Sequence, residues 1–419
     1  MSARNNGTNG NKRQKNGAIH VLEIVGNAII GGMERSVVNL VKELPTDTFR
    51  FTCLCPFQSP FTRSLTEKGC PVFVAPLRDD PTWRSLQMAV EIVRHHHVDL
   101  IHGHLPNAHI LAGLTGMLTQ TPTIATIHGM SLTVHELGIS RMTQTHLIVV
   151  CQEAYAQALA LGIKPQNLSL IPNGIDTEVF KSIPHSQRFR TALGLSPEVP
   201  LVGFVGRLAW EKGPDEFLRV AARVHSRRPA LHFVLVGEGP LQEQLIQLVH
   251  ELGLEDCVHL AGLWEDMTEV YSALDALVVT SRSEGMPLAV LEAMACERPV
   301  IAMAVGGVAE IIEEGVTGYL IAPQDWKGGA NAYTGGFEGI ERVLINLVDN
   351  PEKGKFIGSA ARDRVKELYN LSTSANLVSN LYTQLVKRKG TPLVKESVLT
   401  VLPPDRLPLS SMTFLGSDS

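Results

Sequence analysis

The chain has 419 residues, more than a single hydrophobic core usually organises, so we expect two domains. Hydrophobic residues make up 44% of the sequence and charged residues 19%, a composition typical of globular proteins. The formal net charge of −5 excludes a strongly basic surface, and we therefore expect no nucleic-acid partner.

The N-terminal half alternates short apolar segments with segments of helical spacing. Residues 1–17 precede this pattern and lack the apolar stretch of a secretory signal, so we expect a disordered extension there. The predicted strands are residues 19–25, 51–54, 72–75, 100–102, 123–127 and 147–150, and the predicted helices are residues 33–44, 85–95 and 108–118. Such alternation predicts a parallel sheet covered by helices on both faces.

A dense cluster of turn residues, Ile-Pro-Asn-Gly-Ile-Asp at 171–176, interrupts the alternation and is followed by a polar stretch up to Pro200. We place the domain boundary here, with an N-terminal domain at 18–180 and a C-terminal domain at 181–371. The second domain has predicted strands at residues 201–205, 231–236, 258–260, 276–279, 300–302 and 319–321. The expected fold class is α/β, with two doubly wound domains that face each other across a cleft and bind ligands at the carboxyl ends of their strands.

Two segments do not fit this pattern. Residues 324–339 contain five glycines, and we interpret them as an inserted surface loop, with a lid over the site as the alternative. Residues 389–419 contain several Pro and Ser residues and are predicted to be a flexible tail.

Paired glycines follow the first predicted strand, in the sequence Gly31-Gly32-Met33-Glu34-Arg35. Glycine allows a close approach of the backbone to a ligand, and the free amides at the start of the next helix suit a phosphate. A plain turn between strand and helix explains the pair equally well. No G-x-G-x-x-G is present, and Gly32-Met33 replaces the Lys-Ser/Thr of a P-loop.

A second candidate loop follows the strand at 201–205 and begins with Gly206-Arg207. Arg207 can donate to two phosphate oxygens at once, and Lys212 can add a point charge. The alternative is a solvated salt bridge between this loop's cations and Glu211. Gly237, after the next strand, either packs close beside the ligand or forms a simple turn.

Two acids, Glu284 and Glu292, stand eight positions apart around a Gly-Met-Pro turn. On a continuous helix they would be about 80° and about 12 Å apart, so they could not act on one atom. We therefore expect Glu284 in the loop and Glu292 in the following helix, spanning one ligand between them. A catalytic carboxylate pair of a glycosidase needs a separation of about 5–10 Å across a single bond. The alternative of two surface acids is disfavoured by the apolar residues between them.

Histidines occur at two further strand ends. His128 can hydrogen-bond a hydroxyl or phosphate in the cleft, although a lone His in such a place is more often structural. His102 and His104 share a strand face and suggest a metal, but no third ligand with suitable spacing is evident, so we expect no metal site.

Taken in order, these motifs resemble those of the retaining glycosyltransferases of family 4, which have the GT-B fold of two Rossmann-like domains. The resemblance covers about residues 18–385. It rests on Gly-Gly-x-Glu-Arg, His-Gly, Ile-Pro-Asn-Gly-Ile-Asp, Gly-Arg-Leu followed by Glu-Lys-Gly, Gly-Glu-Gly-Pro, Glu-x(7)-Glu and Gly-Gly-x-x-Glu.

The resemblance implies a role for each site residue. Arg207 and Lys212 would hold the donor diphosphate, Glu284 would bind the transferred sugar, Glu292 the ribose, and His128 would approach from the N-terminal domain. The implied donor-binding set is Gly31, Gly32, Gly206, Gly237, Gly262, Leu263, Gly285, Met286, Pro287, Leu288 and Glu292. A final helix at 372–388 would cross back to the N-terminal domain.

The implied activity is transfer of a hexose, with retention, from a nucleotide diphosphate sugar to a sugar or lipid-linked sugar in polysaccharide or glycolipid biosynthesis. No cofactor and no metal are implied. A sugar-nucleotide epimerase of the same fold and a non-catalytic nucleotide-sugar-binding protein remain as alternatives.

Several features concern the location of the chain and its departures from the family. Six cysteines without a C-x-x-C pair favour reduced thiols, so we expect a cytoplasmic protein, with peripheral contact to the cytoplasmic membrane face as a further hypothesis. Glu297 stands where the family usually has Gly, so we expect the helix before it to end without a left-handed Gly cap.

Overall fold

The computed structural model describes residues 17–29, 31–130, 132–183, 187–322 and 335–388. The predicted N-terminal extension, apart from Gly17, lies outside the described residues, as do the predicted tail and residues 324–334 of the Gly-rich segment.

The N-terminal half forms a sheet in which every neighbouring pair of strands is parallel. Its elements are β1 (Ile19–Val25), α1 (Gly32–Glu43), β2 (Phe49–Cys55), α2 (Pro60–Glu67), β3 (Val72–Val74), α3 (Trp83–His95), β4 (Leu100–His104), α4 (Pro106–Thr119), β5 (Thr123–Ile127), α5 (Val134–Thr143), β6 (His146–Val149), α6 (Gln152–Ala160) and β7 (Leu168–Leu170). The order of the strands is β3-β2-β1-β4-β5-β6-β7.

The C-terminal half forms a second parallel sheet, in the order β10-β9-β8-β11-β12-β13. Its elements are α7 (Arg188–Ala192), β8 (Leu201–Val205), α8 (Pro214–His225), β9 (His232–Val236), α9 (Gln242–Glu251), β10 (Val258–Gly262), α10 (Met267–Ala273), β11 (Ala276–Val279), α11 (Leu288–Ala295), β12 (Val300–Met303), α12 (Val308–Ile311), β13 (Tyr319–Ile321), α13 (Gly336–Asp349), α14 (Pro351–Leu368) and α15 (Leu371–Arg388). The predicted α/β fold with two doubly wound sheets is thus confirmed.

The order of strands reverses at the first strand of each sheet. β1 lies between β2 and β4, and β8 lies between β9 and β11. At such a reversal the connections leave the carboxyl ends in opposite directions and open a crevice between them. The loops after β1 and β8 therefore start at the two crevices.

The last helix packs against the N-terminal sheet rather than the C-terminal one. Ala375, Val378 and Tyr382 of α15 are buried in the same apolar cluster as Val21 and Phe49 of β1 and β2. Because α15 follows the second domain in sequence, this packing ties the two halves together.

Two local expectations need correction. The Gly-rich segment is not a surface loop throughout, because Gly336 begins α13 and both Gly336 and Gly339 are buried. The end of α11 is left-handed without glycine: Glu297 has φ 61°, its N–H donates to Met294 O (3.0 Å), and Arg298 N–H donates to Ala293 O (2.9 Å). These two bonds form a Schellman motif, whose backbone bonds hold a non-glycine residue in this conformation.

Candidate functional site

The pair Lys212 and Glu284 forms the centre of the site on the C-terminal half. Lys212 Nζ lies 2.7 Å from both carboxylate oxygens of Glu284, and Ser281 Oγ donates to the Oε1 of the same residue at 2.7 Å. The Glu284 side chain is only 7% exposed, so the carboxylate is held by these partners rather than by water. Lys212 thus pairs with Glu284 and not with Glu211, the partner in the salt-bridge alternative.

Contacts between two loops set this geometry. Lys212 ends a short 3₁₀ turn after β8, and Glu284 lies in the loop between β11 and α11. Gly213 (φ 64°) comes so close to β11 that an added Cβ would lie 2.3 Å from Thr280 O. The backbone N–H of Arg282 donates to Glu211 O at 2.9 Å, which joins the two loops directly.

Arg207 lies at the start of the same loop, and its side chain is exposed. In α1 of the N-terminal half, burial raises the pKa of Glu34 to about 7, and the positive charge of Arg207 is among the effects that partly offset this rise. The paired glycines stand at the start of α1, where Gly31 is the N-cap and Gly32 the first helical residue.

Glu292 lies within α11, as expected, but its carboxylate is almost fully buried. Tyr271 Oη donates to Oε2 at 2.6 Å, and Arg35 Nη1 lies 3.4 Å from Oε1. Arg35 belongs to α1, so this ion pair joins the two halves of the molecule.

Gly285 lies at a close contact between the two halves. An added Cβ at Gly285 would lie 2.1 Å from the backbone O of His128, a distance that no real side chain reaches. Its carbonyl accepts from Gly307 N–H at 2.7 Å. Next to it, Met286 O accepts from Asn173 Nδ2 at 2.8 Å. The loop that carries Glu284 is therefore held against the carboxyl end of β5.

His128 is connected to a cluster of buried polar groups. His104 Nδ1 lies 3.0 Å from His128 Nε2, and His104 Nε2 lies 2.8 Å from Glu23 Oε2. Tyr382 Oη donates to Glu23 Oε1 at 3.1 Å and lies 2.6 Å from His102 Nδ1. His128 also lines a cavity of about 60 Å³ between the N-terminal sheet, α1 and α15.

Glu23, His102 and His104 are the type of side chains that bind metals. In the part of the chain that is described, they alone form such a group with all ligand atoms within 4.8 Å of one another. Glu23 on β1 supplies the third side chain that the sequence did not reveal, because only strand pairing brings β1 beside β4. Each of the three already has a hydrogen-bond partner within the protein, so the group forms a hydrogen-bonded cluster.

The remaining candidates surround this centre or lie at the edge of the C-terminal sheet. Gly237 allows the β9 loop to touch the β8 loop, since an added Cβ would lie 2.0 Å from Gly206 O. Leu263, just after β10, is 69% exposed. Pro287 is the N-cap of α11, and Leu288 is its first residue. The structure thus brings Lys212, Glu284, Gly285, Met286 and His128 together, and leaves Gly262 and Leu263 at the β10 edge.

Sequence reasoning missed three contacts of the site. Tyr271 and Ser281 carry no motif, and only the topology shows that they reach Glu292 and Glu284. Arg35 is the last residue of the Gly-Gly-x-Glu-Arg motif, and this motif is the signal that could have identified it as a site residue.

Within the described residues, no helix is both long and apolar enough to pass through a membrane. The sequence matches two family profiles in adjoining regions. Residues 30–179 match Glycosyltransferase Family 4, and residues 186–334 match Glycosyl transferases group 1.

Two relatives illustrate the similarity in sequence. A UDP-Gal:alpha-D-GlcNAc-diphosphoundecaprenol alpha-1,3-galactosyltransferase of Escherichia coli is 24% identical over 382 residues, which cover 86% of this chain and 96% of that protein. A D-inositol 3-phosphate glycosyltransferase of Mycobacterium marinum is 30% identical over 268 residues, which cover 57% of this chain and only 55% of that protein.

Two solved structures show the same fold. HepE of Anabaena, in complex with UDP and glucose, superimposes with a TM-score of 0.75 at 22% identity, over 87% of this chain and all of that one. Sucrose-phosphate synthase of Thermosynechococcus elongatus gives a TM-score of 0.71 at 22% identity, over 88% of this chain and 99% of that one.

Proposed function

Because this chain belongs to glycosyltransferase family 4 and has the GT-B fold, we propose that it transfers a hexose from a nucleotide diphosphate sugar, with retention of configuration. The observation that carries the proposal is the Lys212–Glu284 pair in the loops at the carboxyl ends of β8 and β11. It combines a cation for a diphosphate with a carboxylate for sugar hydroxyls. Arg207 adds a second cation to the same loop.

The chemistry follows from the charge that develops on the leaving group. When the bond between C1 of the hexose and the diphosphate oxygen breaks, negative charge builds up on the diphosphate. Lys212, Arg207 and the free amides at the start of α1 stabilise that charge. The acceptor oxygen forms the new bond to C1 on the same face, and its proton passes to the departing phosphate oxygen. In this scheme the protein supplies no nucleophile and no metal.

Glu284 and Glu292 orient the donor. The carboxylate of Glu284 accepts a hydrogen bond from a hydroxyl of the transferred sugar, while Lys212 binds the diphosphate. Glu292 binds the ribose once Arg35 has left it, and Tyr271 keeps its carboxylate in place. The exposed Leu263 flanks the base at the β10 edge.

We extend the proposal to the acceptor, a carbohydrate or a lipid-linked saccharide in polysaccharide or glycolipid biosynthesis. The Escherichia coli relative, by its name, acts on a diphosphoundecaprenol-linked sugar. Helix α3 suits a peripheral contact with an anionic membrane, because Trp83 is 76% exposed and Arg84 and Arg94 are exposed as well. Sedimentation with anionic and with neutral liposomes tests this contact, and absence of the protein from both pellets removes it.

The activity is tested with UDP-, GDP- and ADP-sugars in a thermal-shift screen, since a ligand of the native state raises the melting temperature. The stabilising sugar is then incubated with a panel of saccharide and lipid-linked acceptors, with and without EDTA. Proton NMR of the product shows the anomeric configuration. Transfer with retention that EDTA leaves intact is the expected result, and an inverted product or complete loss in EDTA contradicts it.

Two other functions are separated by the same experiment. An epimerase converts the donor when no acceptor is present. A non-catalytic binding protein shows the thermal shift but no turnover with any acceptor.

A further inference from the structure

The hydrogen bonds behind His128 start from a single buried charge. Glu23 on β1 is fully buried. Burial alone raises the pKa of its carboxyl, but His102 and His104 outweigh this effect, so the pKa lies well below its ordinary value. Glu23 is therefore ionised, and an ionised carboxylate only accepts hydrogen bonds. Both of its close partners, His104 Nε2 and Tyr382 Oη, must be donors.

This requirement fixes the proton on His104. Burial and the neighbouring His102 lower the pKa of His104 to about 4, so its ring is neutral at pH 7 and carries one N–H. That N–H is on Nε2, because Nε2 donates to Glu23. Nδ1 of His104 is then a bare lone pair, and it lies 3.0 Å from His128 Nε2.

The same argument passes to His128. Its Nε2 must carry the proton, because only an N–H can donate to the bare Nδ1 of His104. Burial and the nearby His104 and His102 hold the pKa of His128 well below its ordinary value, so this ring is neutral as well. The remaining nitrogen, Nδ1, is left as a hydrogen-bond acceptor.

The other branch of the cluster is consistent with this assignment. Tyr382 gives its proton to Glu23 and so accepts from Nδ1–H of His102, at 2.6 Å. His102 Nε2 lies 2.7 Å from the hydroxyl of Thr126. The two groups that donate to Glu23 are thus assigned, and α15 takes part through Tyr382.

We propose that Glu23 and His104 are positioning residues that hold His128 as a neutral imidazole with the proton on Nε2, so that Nδ1 accepts a hydrogen bond from a saccharide hydroxyl. His128 would then recognise the sugar part of the ligand, and it would not act as a cation for the diphosphate. The class of ligand rests on the proposed function, whereas the protonation state rests only on the buried cluster.

The test is NMR of the full chain labelled with ¹⁵N-histidine at pH 7.5, in which long-range ¹H–¹⁵N couplings distinguish the two tautomers. The His128 signals are identified by their loss in His128→Gln. We expect His128 protonated on Nε2 alone. A His128 protonated on Nδ1, or on both nitrogens, overturns the proposal, and the wild-type spectrum alone decides this without any turnover.

Variants show whether the cluster sets this state. His104→Leu removes both ring nitrogens and so offers no acceptor to His128, and we expect His128 to become a mixture of tautomers. His109→Leu is the matched control: His109 is also a buried histidine, but it pairs with Glu136 and the backbone O of Thr126. The control should keep the wild-type His128 pattern, and an unchanged pattern in a folded His104→Leu refutes the positioning role.

The sugar contact is tested separately by adding UDP-glucose to the labelled wild-type chain. A hydroxyl that donates to Nδ1 moves the His128 Nδ1 resonance upfield, whereas UDP alone, which lacks the hexose, leaves it in place. An equal shift with UDP refutes recognition of the sugar. If neither compound binds in a thermal-shift assay, UDP-glucose is not the donor, and the titration is repeated with the sugar nucleotide that does bind.

Discussion

The side-chain nitrogen of Lys212 is equidistant, at 2.7 Å, from the two carboxylate oxygens of Glu284. The two residues are 72 positions apart, and they meet because the loops after β8 and β11 leave neighbouring strands. In the unliganded protein each charge neutralises the other in a largely dehydrated place. When a donor binds, Lys212 can contact its diphosphate and Glu284 its hexose. The contact between the two residues is then replaced by two contacts with the donor.

We expect Lys212→Ala to lower kcat by about 100-fold or more, because a preorganised charge on the leaving group is lost. The Arg207→Ala, Lys212→Ala double variant should be slower still, as measured by initial rates of transfer. Lys355→Ala is the control, since that exposed lysine pairs with Glu352 in α14. Loss of Lys212 leaves Glu284 without its cation, so thermal unfolding must show that the variant is folded. Turnover of the double variant at the wild-type rate would contradict the assignment.

Gly285→Ala should abolish transfer, because its Cβ would lie 2.1 Å from the backbone O of His128 and force the two halves apart. Gly129→Ala introduces the same methyl group one residue beyond His128, where no atom lies within 4 Å, and should leave the rate nearly unchanged. Small-angle X-ray scattering of both variants measures the opening. A fully active Gly285→Ala would show that the contact is not needed during turnover.

Tyr271→Phe should weaken donor binding while leaving the fold intact. The variant removes a 2.6 Å hydrogen bond to Glu292, and bonds to charged groups contribute about 1.5–3 kcal/mol, so the Kd of the donor should rise by roughly tenfold or more. Tyr369→Phe is the control: this buried tyrosine donates to the backbone O of Glu310, away from Glu292. Titration calorimetry measures both. Equal donor affinity in Tyr271→Phe and wild type would show that Glu292 does not bind the ribose.

The sequence predicted the fold well and the contacts of the site less well, for a physical reason. Strands such as β11 and β12 are continuous apolar runs, and their pattern is local, so their positions could be read directly. Glu284 and Glu292 were also placed in loop and helix by the Gly-Met-Pro turn between them. Contacts between the halves, such as that of Arg35 with Glu292, depend on how the two domains meet, and no local pattern encodes that.

The stability of the protein should depend on the pH through Glu310, whose carboxylate accepts from Gln152 N–H at 2.7 Å at the start of α6. Burial raises the pKa of Glu310 to about 7, above its unfolded value near 4.5. The unfolded chain therefore ionises first as the pH rises, and the folded state loses stability between about pH 4.5 and 7. Glu310→Gln removes this loss, so it should gain up to about 3 kcal/mol relative to wild type between pH 4.5 and 8.

Urea unfolding at the two pH values measures that gain. Glu136→Gln should change the free energy of unfolding in the opposite direction. Burial raises the pKa of Glu136, but hydrogen bonding to His109 and other partners outweighs burial, so this pKa is lowered. That variant should lose more stability at neutral pH than in acid. A Glu310→Gln variant with the same difference from wild type at both pH values would show that this carboxyl does not titrate on folding.

Glu297→Gly should stabilise the protein by about 1 kcal/mol, because Glu297 has φ 61° and a β-carbon is disfavoured in the left-handed region. The Schellman bonds to Met294 and Ala293 use only the backbone, so the variant keeps them. The side chain contributes little in exchange, since its carboxylate is 3.9 Å from Arg362 and 44% exposed. Glu352→Gly, in the first turn of α14, is the control and should destabilise the protein because glycine gains no strain relief there. A lower melting temperature for Glu297→Gly than for wild type would mean that the acid, and not the backbone, holds the end of α11.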